Sequence, residues 1–486
     1  MTINNKTPEE IVLEFLRKII TGTEWNNKIF AVGGCVRDEL MGLRPKDLDF
    51  VVNGDLNSGI EFSVWLAKIF GNYKENSNPV TYPRFGTSKL SLFKNKYNLP
   101  NIELEFVSPR KEKYTFGDRK PEVTGGDLTD EVNRRDITIN TLMKNVSTNK
   151  IIDLTGKGIS DIKNGIIRTP INPEITFKDD GLRLMRVVRF STRYGFKIDN
   201  DVLNAMKKNS GLITTISKER INDELNKILV SPKPDEGFRL LQSTGLLKHI
   251  IPELDKTVGM SQGEHHTEDV FNHILSVVSN TPPDLKTRLM AVFHDIGKVS
   301  TQTTDEDGSI HFYDHENVGA EITKRIMKDL KYSNDMIEDV AQGVGNHMRL
   351  KSGGPDSNNI TDKTLRRFSR TIGGNMNNIL DLIHADNISH KEESSMPDQV
   401  SNIKNRLDTI NKDIGTDKPK LPIDGNDILA LGVPKSRSIG DILDLVQDAW
   451  DENPNITRED AINIVNQFKI DNNINEIKNI MKKLID

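Results

Sequence analysis

The stretch GGCVRDELMGLRPKDLDFVV, residues 33–52, joins a glycine pair, a short helical pattern and a strand that carries two acids. The apolar run KIFAV precedes the glycines, and LDFVV, rich in β-branched and aromatic residues, closes the stretch. The order strand, glycine turn, helix, strand predicts an α/β unit. Further out, Thr7, Pro8 and Glu10 predict the start of an amphipathic helix. NIELEFV, residues 101–107, alternates apolar and acidic residues as a further strand does.

The rest of the chain is patterned mainly for helices. Residues 111–130 show no period and predict a loop, and helical spacing takes over beyond them. A length of 486 residues excludes a single compact domain. We therefore predict an α+β protein with an α/β head followed by helical domains. The predicted segments are a catalytic head (1–157), a helical neck (158–255), a histidine-bearing helical domain (256–400) and a helical tail (401–486).

Composition excludes several classes of protein. The single cysteine, Cys35, rules out a disulfide scaffold and a thiolate zinc site. The sequence has no apolar run of ~18 residues and no signal-peptide pattern at its start, so we expect a cytoplasmic protein without a membrane span. The whole chain has a net charge of −5, but one segment is basic: residues 134–248 contain 21 Lys and Arg and 13 Asp and Glu. All ten histidines lie between His249 and His390.

Asp47 and Asp49 are two residues apart, so on a strand both carboxylates point to the same face and could hold one or two divalent cations. Taken alone, such a pair is more often a solvated strand edge. The glycine pair ahead of a helix could receive phosphate oxygens on free N–H groups, or could be an ordinary turn. Neither feature is specific by itself.

In combination, residues 33–52 resemble the catalytic motif of the nucleotidyltransferase superfamily, in its tRNA nucleotidyltransferase and poly(A) polymerase branch. The resemblance implies that Asp47 and Asp49 bind Mg²⁺, which aligns a 3′-hydroxyl with the α-phosphate of a nucleotide. A third catalytic acid is expected from a later strand, and Glu105 is the candidate, with Glu103 on the same face. The implied contacts to the triphosphate are Gly33, Gly34 and Arg37.

Two arginine-rich motifs resemble the next blocks of the same family. In NRRDITINTL, Arg135 is implied to bind phosphates and Asp136 to approach the ribose, although RRD is also an ordinary charged helix cap. In DDGLRLMRVVRF, Asp180 and Arg183 correspond to the amino-acid template that reads the base edge, whereas Asp179 stands where the family usually has Glu. Arg186 and Arg189 are implied to contact phosphate or to brace the template. Their spacing predicts a cationic ridge on one helix side, which could equally be a solvated face with ion pairs.

The histidine-rich region resembles the HD superfamily, which binds a divalent metal between helices. The implied ligands, in family order, are His273, His294, Asp295 and Asp386. His315 and His347 add to the case, because a lone histidine is more often core or surface than a ligand. Such modules act on phosphomonoesters or 2′,3′-cyclic phosphates, or serve as scaffold.

The whole arrangement is similar to bacterial-type tRNA nucleotidyltransferases with a C-terminal HD domain. The resemblance implies transfer of CMP and AMP from CTP and ATP to a tRNA 3′ end. The basic segment, residues 134–248, would bind the phosphates of the tRNA acceptor stem. One alternative is a poly(A) polymerase or an enzyme that adds only A or only CC. An alternative of another class is an HD phosphohydrolase whose head only recognises RNA.

Overall fold

The computed structural model describes residues 6–45, 47–70, 79–92, 97, 99–113, 122–262, 268–351, 359–390, 395–414 and 421–485. The chain forms two compact units, which are described separately: Met1–Lys256 with Ile326–Tyr332, and Thr257–Arg325 with Ser333–Asp486. The predicted α+β class is confirmed, because the β-sheet lies near the N-terminus and helices dominate the remainder. The finer division into four segments stays a prediction.

The first unit contains a seven-stranded mixed sheet. The strands of the whole unit are β1 (Ile29–Val32), β2 (Leu48–Val52), β3 (Val80–Tyr82), β4 (Thr87–Ser91), β5 (Glu103–Val107), β6 (Arg110–Lys113), β7 (Glu122–Gly125), β8 (Met143–Asn145), β9 (Ile151–Ile152), β10 (Ile166–Ile167) and β11 (Lys197–Ile198). The sheet order is β3-β4-β5-β2-β1-β8-β9, and within this sheet β2 and β5 are parallel while the other neighbours are antiparallel. β6 pairs with β7 and β10 with β11.

Helices cover the sheet and build the remainder of the first unit. They are α1 (Pro8–Ile20), α2 (Gly34–Leu40), α3 (Ser58–Phe70), α4 (Leu128–Asn133), α5 (Gly158–Asn164), α6 (Pro173–Asp179), α7 (Arg183–Tyr194), α8 (Asn200–Asn209), α9 (Lys218–Leu229), α10 (Pro234–Ser243), α11 (Leu247–Ile250) and α12 (Pro252–Asp255). The predicted loop at residues 111–130 is wrong in part, because β6, β7 and the start of α4 fall within it.

The core of the head lies between the sheet and helices α1 and α3. Thr7 and Glu10 close a capping box at the start of α1, which then buries Leu16 and neighbouring apolar residues on one side. Phe50 of β2 stacks on Phe106 of β5, with ring centroids 5.3 Å apart. Burying each such ring stabilises the fold by ~1.5–3 kcal/mol. This packing holds β2 and β5 side by side.

The second unit is helical apart from one short hairpin. Its elements are α13 (Val270–Asn280), α14 (Leu285–Phe293), α15 (Lys298–Thr301), β12 (Gln302–Thr304), β13 (Ile310–Phe312), α16 (His315–Asp329), α17 (Asn334–Asn346), α18 (Asp362–Ile372), α19 (Met376–Ile388), α20 (Gln399–Ile414), α21 (Gly425–Ala430), α22 (Ser438–Glu452) and α23 (Arg458–Ile485). The end of α16, from Ile326, belongs to the first unit. Among the described residues, we find no helix that is both long enough and apolar enough to cross a membrane.

Candidate active site and metal centre

Acidic side chains meet on neighbouring strands of the head. The parallel register of β2 and β5 sets Asp49 directly opposite Glu105, and Asp47 lies exposed just before β2. Lys89 of β4 reaches the same place, with its Nζ 3.4 Å from Glu105 and 3.1 Å from Glu103. The register therefore brings the predicted third acid, Glu105, beside the predicted metal ligand Asp49.

The electrostatics of this cluster favour a bound cation. The protein atoms around its carboxylate raise the pKa of Asp49 to about 6, and the negative charge of Glu105 adds to the effect. The side chain of Asp49 is nevertheless exposed at the surface, so an ion from solvent can reach it. A divalent cation would offset the repulsion between these carboxylates, and carboxylate oxygens are the ligands that Mg²⁺ prefers.

The glycine turn lies against the first arginine motif. Gly33 has φ +71°, and a Cβ at this position would come within 2.9 Å of Nη1 of Arg135. Arg135 itself is held by the buried Glu131, at 2.9 Å, and donates to the carbonyl oxygen of Asn140 over 2.9 Å. The backbone conformation at position 33 therefore favours glycine, and the guanidinium of Arg135 lies directly against it.

Arg37 faces the protein interior. It is 5% exposed, its Nε donates to Asp38 over 2.8 Å and its Nη1 to Asn140 over 2.5 Å. The guanidinium also lies 5.0 Å from the ring centre of Tyr194. Protein groups therefore surround the guanidinium in this structure, and the contact of Arg37 with the triphosphate stays a prediction.

Asp136 is likewise buried. Arg186 of α7 binds it at 2.6 Å, and the side-chain amide of Asn140 donates to it over 3.0 Å. Burial alone would raise the pKa of Asp136, but Arg186 and these hydrogen bonds outweigh burial and lower the pKa to about 2. Asp136 is therefore an ionised brace between the arginine motif and α7, and its approach to a ribose stays a prediction.

The predicted template residues differ in their surroundings. Arg183 is 6% exposed and donates to the carbonyl oxygens of Thr176, at 3.1 Å, and Arg134. Asp180 is partly exposed and accepts from Arg220 of α9 at 2.7 Å. Sequence reasoning missed Arg220, because no pattern in the sequence links this residue to Asp180.

The predicted cationic ridge on α7 is wrong, because each of its arginines is paired within the protein. Arg183 lies 3.6 Å from Asp179, Arg186 binds Asp136, and Arg189 lies 2.9 Å from Glu224 of α9. The apolar residues between the arginines are buried as well. The apolar side of α7 is therefore buried, and these three arginines are bound to neighbouring acids, with Arg183 also bound to carbonyl oxygens.

The four predicted metal ligands of the second unit converge. Nε2 of His273 lies 3.2 Å from Oδ1 of Asp386, 3.4 Å from Nε2 of His294 and 3.6 Å from Oδ2 of Asp295. All four side chains are nearly completely buried. Buried histidine and carboxylate atoms at this separation fit a divalent ion. Among the described residues, three or more potential ligand atoms come within 4.8 Å of one another only in this unit.

Further side chains surround this candidate metal site. His315 of α16 and His347, which follows α17, approach Asp295 at 3.3 and 3.8 Å. His390, one turn beyond Asp386, lies 3.9 Å from it. Two lysines neutralise the acids: Lys298 binds Asp295 at 2.7 Å and Lys351 binds Asp386 at 2.5 Å. Sequence analysis named His315 and His347 as further histidines of the site. It did not identify His390, Lys298 or Lys351 as neighbours of the predicted ligands.

Comparison with known proteins assigns this architecture. Family profiles match residues 29–168 (Poly A polymerase head domain), 195–257 (Probable RNA and SrmB-binding site of polymerase A) and 264–386 (HD domain). A curated protein named Multifunctional CCA protein, from Haemophilus influenzae, is 32% identical over 320 residues, which cover 63% of this chain and 71% of that protein. The chain belongs to the tRNA nucleotidyltransferase and poly(A) polymerase family. The HD domain lies in the second unit of the chain.

Other members of the family align over different lengths. The chain is 36% identical to the mitochondrial CCA tRNA nucleotidyltransferase of Candida glabrata over 229 residues, 44% of this chain. That alignment spans only 41% of the yeast protein, so the chain covers less than half of this relative. The fold of this chain matches the CCA-adding enzyme of Bacillus stearothermophilus, solved in complex with CTP, with TM-score 0.65 and 18% identity over 96% of this chain and 99% of that one.

Proposed function

We propose that the protein is a CCA-adding tRNA nucleotidyltransferase, which transfers CMP and AMP from CTP and ATP to the 3′ end of tRNA. The observation that carries the proposal is Asp49 opposite Glu105 on adjacent strands, beside the Gly33 turn. In the reaction the terminal ribose 3′-oxygen bonds to the α-phosphorus of the nucleotide. The bond from that phosphorus to the oxygen bridging to the β-phosphate breaks, pyrophosphate leaves, and the hydroxyl loses its proton.

Asp47, Asp49 and Glu105 are the catalytic acids of this proposal. Asp47 and Asp49 would hold Mg²⁺, which would supply charge for the attacking and leaving oxygens. The raised pKa of Asp49 supports this role, because an anionic carboxylate that is costly in the free protein gains most from a bound cation. Lys89 partly neutralises Glu105 when no metal is bound.

The nucleotide site is proposed around the glycine turn. In this proposal Gly33, Gly34 and Arg135 bind phosphate oxygens, and the start of α2 directly after Gly33 supports it, because the first N–H groups of a helix lack helical partners. Asp180 and Arg183 are the proposed template pair. We assign Arg37, Asp136, Arg186 and Arg189 to bracing this site, because their charged groups are bound within the protein.

The proposed RNA partner is the tRNA acceptor stem. Residues 134–248 carry the basic excess, and residues 195–257 match the RNA-binding family profile. Because phosphate contacts dominate such binding, affinity should fall steeply with salt. We retain cytoplasm as the predicted location, although the Candida glabrata relative is named mitochondrial.

For the second unit we propose a divalent metal site and an accessory phosphohydrolase activity. His273, His294, Asp295 and Asp386 are the proposed ligands, and their burial together supports a bound ion. Unpaired, two buried carboxylates in one pocket would be costly, and Lys298 and Lys351 offset that cost in the metal-free protein.

The decisive experiment offers tRNAs that end at the discriminator base, at C or at CC, with each labelled nucleoside triphosphate separately. The proposal expects C, C and A to be added in order and addition to stop there. Unlimited A addition would identify a poly(A) polymerase, and addition of only CC or only A a partial enzyme.

The phosphohydrolase alternative is tested by a pair of variants. Asp47→Ala with Asp49→Ala should abolish incorporation and leave phosphate release intact. His294→Ala should abolish phosphate release and leave nucleotide incorporation intact. If the parent protein incorporates no nucleotide and only releases phosphate, the alternative with an RNA-recognising head is correct.

A further inference from the structure

One row of paired residues crosses five strands of the head sheet. From β1 to β3 it consists of Val32, Asp49, Glu105, Lys89 and Val80, each directly opposite the next. Residues that are paired in this way point to the same face of a sheet. The proposed catalytic acids therefore share a face with β3, which is the edge strand.

The edge strand exposes apolar side chains on that face. Val80 is 55% exposed and Tyr82 is 47% exposed. The two are two residues apart, so both point to the same side of the strand, and Tyr82 lies opposite Thr87 of β4. An exposed aromatic ring is a surface on which a nucleobase can stack, whatever its identity.

The proposed reaction gives this face a direction. The triphosphate is proposed at the Gly33 turn, which directly follows β1, so pyrophosphate leaves on the β1 side of Asp49. Attacking and leaving oxygens lie roughly in line, so the 3′-hydroxyl comes from the opposite side of the phosphorus. On that side the strands follow in the order β5, β4, β3. The RNA that brings the hydroxyl therefore lies over these three strands.

The width of the sheet determines which nucleotide reaches the edge. Neighbouring strands are ~4.8 Å apart, so β3 lies ~10 Å from β5. Stacked nucleotides follow one another at ~3.4 Å, so β3 meets a nucleotide two or three positions before the terminal one. Lys89 lies between Glu105 and the edge, and the exposed Arg84 follows Tyr82 by two residues. A basic track with an aromatic ring is typical of sites for single-stranded nucleic acid.

We propose that Val80 and Tyr82 form a platform for the single-stranded 3′ end of the RNA substrate. A base two or three positions before the terminal nucleotide stacks on the ring of Tyr82, and Val80 contacts the neighbouring nucleotide. The inference rests on the proposed nucleotidyl transfer. Tyr82 binds RNA away from the reacting atoms, so its loss should raise KM for tRNA and leave KM for ATP unchanged.

The test uses the full-length protein and a tRNA that ends in CC and carries 2-aminopurine at the discriminator base, two positions before the terminal nucleotide. Stacking on an aromatic ring quenches the fluorescence of this base. Tyr82→Thr removes the ring and keeps a β-branched residue on the strand. We expect its complex to fluoresce more than that of the parent and its tRNA affinity to be about tenfold lower, or ~1.4 kcal/mol. Tyr82→Phe should behave as the parent does.

Two controls isolate the platform. Tyr313→Ala replaces a tyrosine of the second unit that is 69% exposed, and should change neither fluorescence nor affinity. A blunt RNA duplex without a single-stranded end should bind equally to the parent and to Tyr82→Thr. If Tyr82→Thr does not fold, ultraviolet cross-linking of the tRNA to the parent decides: an adduct on residues 80–84 supports the platform, and adducts found only elsewhere overturn it.

The results separate this inference from the proposal on which it rests. A parent that incorporates nucleotides, together with equal fluorescence and affinity for the parent and Tyr82→Thr, overturns the platform alone. A parent that incorporates no nucleotide overturns the proposed function and the platform with it. An exposed edge strand can also pair with a second copy of the chain. A dimeric parent, a monomeric Tyr82→Thr by light scattering and unchanged tRNA binding would assign β3 to that contact and overturn the platform.

Discussion

Arg220 of α9 donates from Nη2 to Oδ2 of Asp180 over 2.7 Å, while the N–H of Leu182 donates to Oδ1 over 3.0 Å. Both oxygens of the proposed template carboxylate are thus held by protein. Each oxygen keeps a further lone pair, so the carboxylate can still accept from the amino group of a base. Arg220 is therefore a positioning residue for a base-reading group.

Replacing Arg220 by Met should reduce discrimination between nucleotides. Without its partner, the Asp180 carboxylate can rotate, and the preference for CTP and ATP over GTP and UTP should fall about tenfold, within the ~1–3 kcal/mol that one base contact supplies. The measurement is kcat/KM for each nucleoside triphosphate, together with tRNA affinity, which should stay nearly constant.

Lys218→Met is the control for this prediction, because Lys218 lies on the same helix and forms an ion pair of similar length, 2.8 Å to Asp329. It should leave selectivity unchanged, and Arg220→Lys should restore part of it. An equal loss for all four nucleotides in Arg220→Met would show that Arg220 only stabilises the fold.

The ion pair of Asp136 with Arg186 should make the head sensitive to acid. The pKa of Asp136 falls from 3.8 to about 2 on folding. A lowered pKa stabilises the fold above the unfolded value, and this stabilisation is lost as pH falls from about 4 to 2. The contribution at pH 7 is ~2 kcal/mol. Asp136→Asn should lower the unfolding free energy by about this amount at pH 7 and by little at pH 2.

Urea unfolding followed by tryptophan fluorescence can test this, because Trp25 and Trp65 belong to the head core. Asp153→Asn supplies a control on a partly exposed acid of the same unit. A constant difference between Asp136→Asn and the parent across the pH range would contradict the assignment.

Folding should shift the pKa of Asp49 upward, in the opposite direction to that of Asp136. Its raised pKa means that the protonated form is favoured on folding, so protons should compete with Mg²⁺ as pH falls through about 6. Carboxyl NMR of the metal-free protein should show one aspartate titrating near this value and missing in Asp49→Asn. Glu105→Gln should lower that pKa, because a neighbouring negative charge is removed. An unchanged pKa of Asp49 in Glu105→Gln would show that the charge of Glu105 does not act on Asp49.

The sequence predicted the elements of the head because their signals are local. The alternation in residues 101–107 marks β5, and the glycine pair with its apolar flanks marks β1, α2 and β2. The pairing of β2 with β5 is a long-range event, and only the family resemblance, which implies a third acid on a later strand, points to Glu105.

Burial explains what the sequence does not reveal about the site. Arg37, Asp136 and Arg189 have the charge expected of groups that bind phosphate or ribose, and the structure shows them bound to Asn140, Arg186 and Glu224. Spacing along one helix predicts which residues share a side. It does not predict the acid that a second helix presents to that side, and this determines whether an arginine faces solvent.

Lys351 should compete with the metal of the second unit. Its Nζ lies 2.5 Å from Oδ2 of Asp386 and 3.3 Å from Nε2 of His390, so an ammonium group already neutralises a proposed ligand. A metal ion that binds Asp386 must weaken this contact. Lys351→Met should therefore raise metal affinity about tenfold, or ~1.4 kcal/mol.

The same change should destabilise the metal-free protein, because a buried carboxylate loses its counter-charge. Metal should then raise the thermal midpoint more in Lys351→Met than in the parent, since a ligand stabilises the state it binds. Lys404→Met is the matched control: Lys404 binds Asp381, also on α19, at 3.1 Å. Affinity is measured by competition with a chelator. Weaker binding by Lys351→Met than by the parent would mean that Lys351 supports the metal site and does not compete with it.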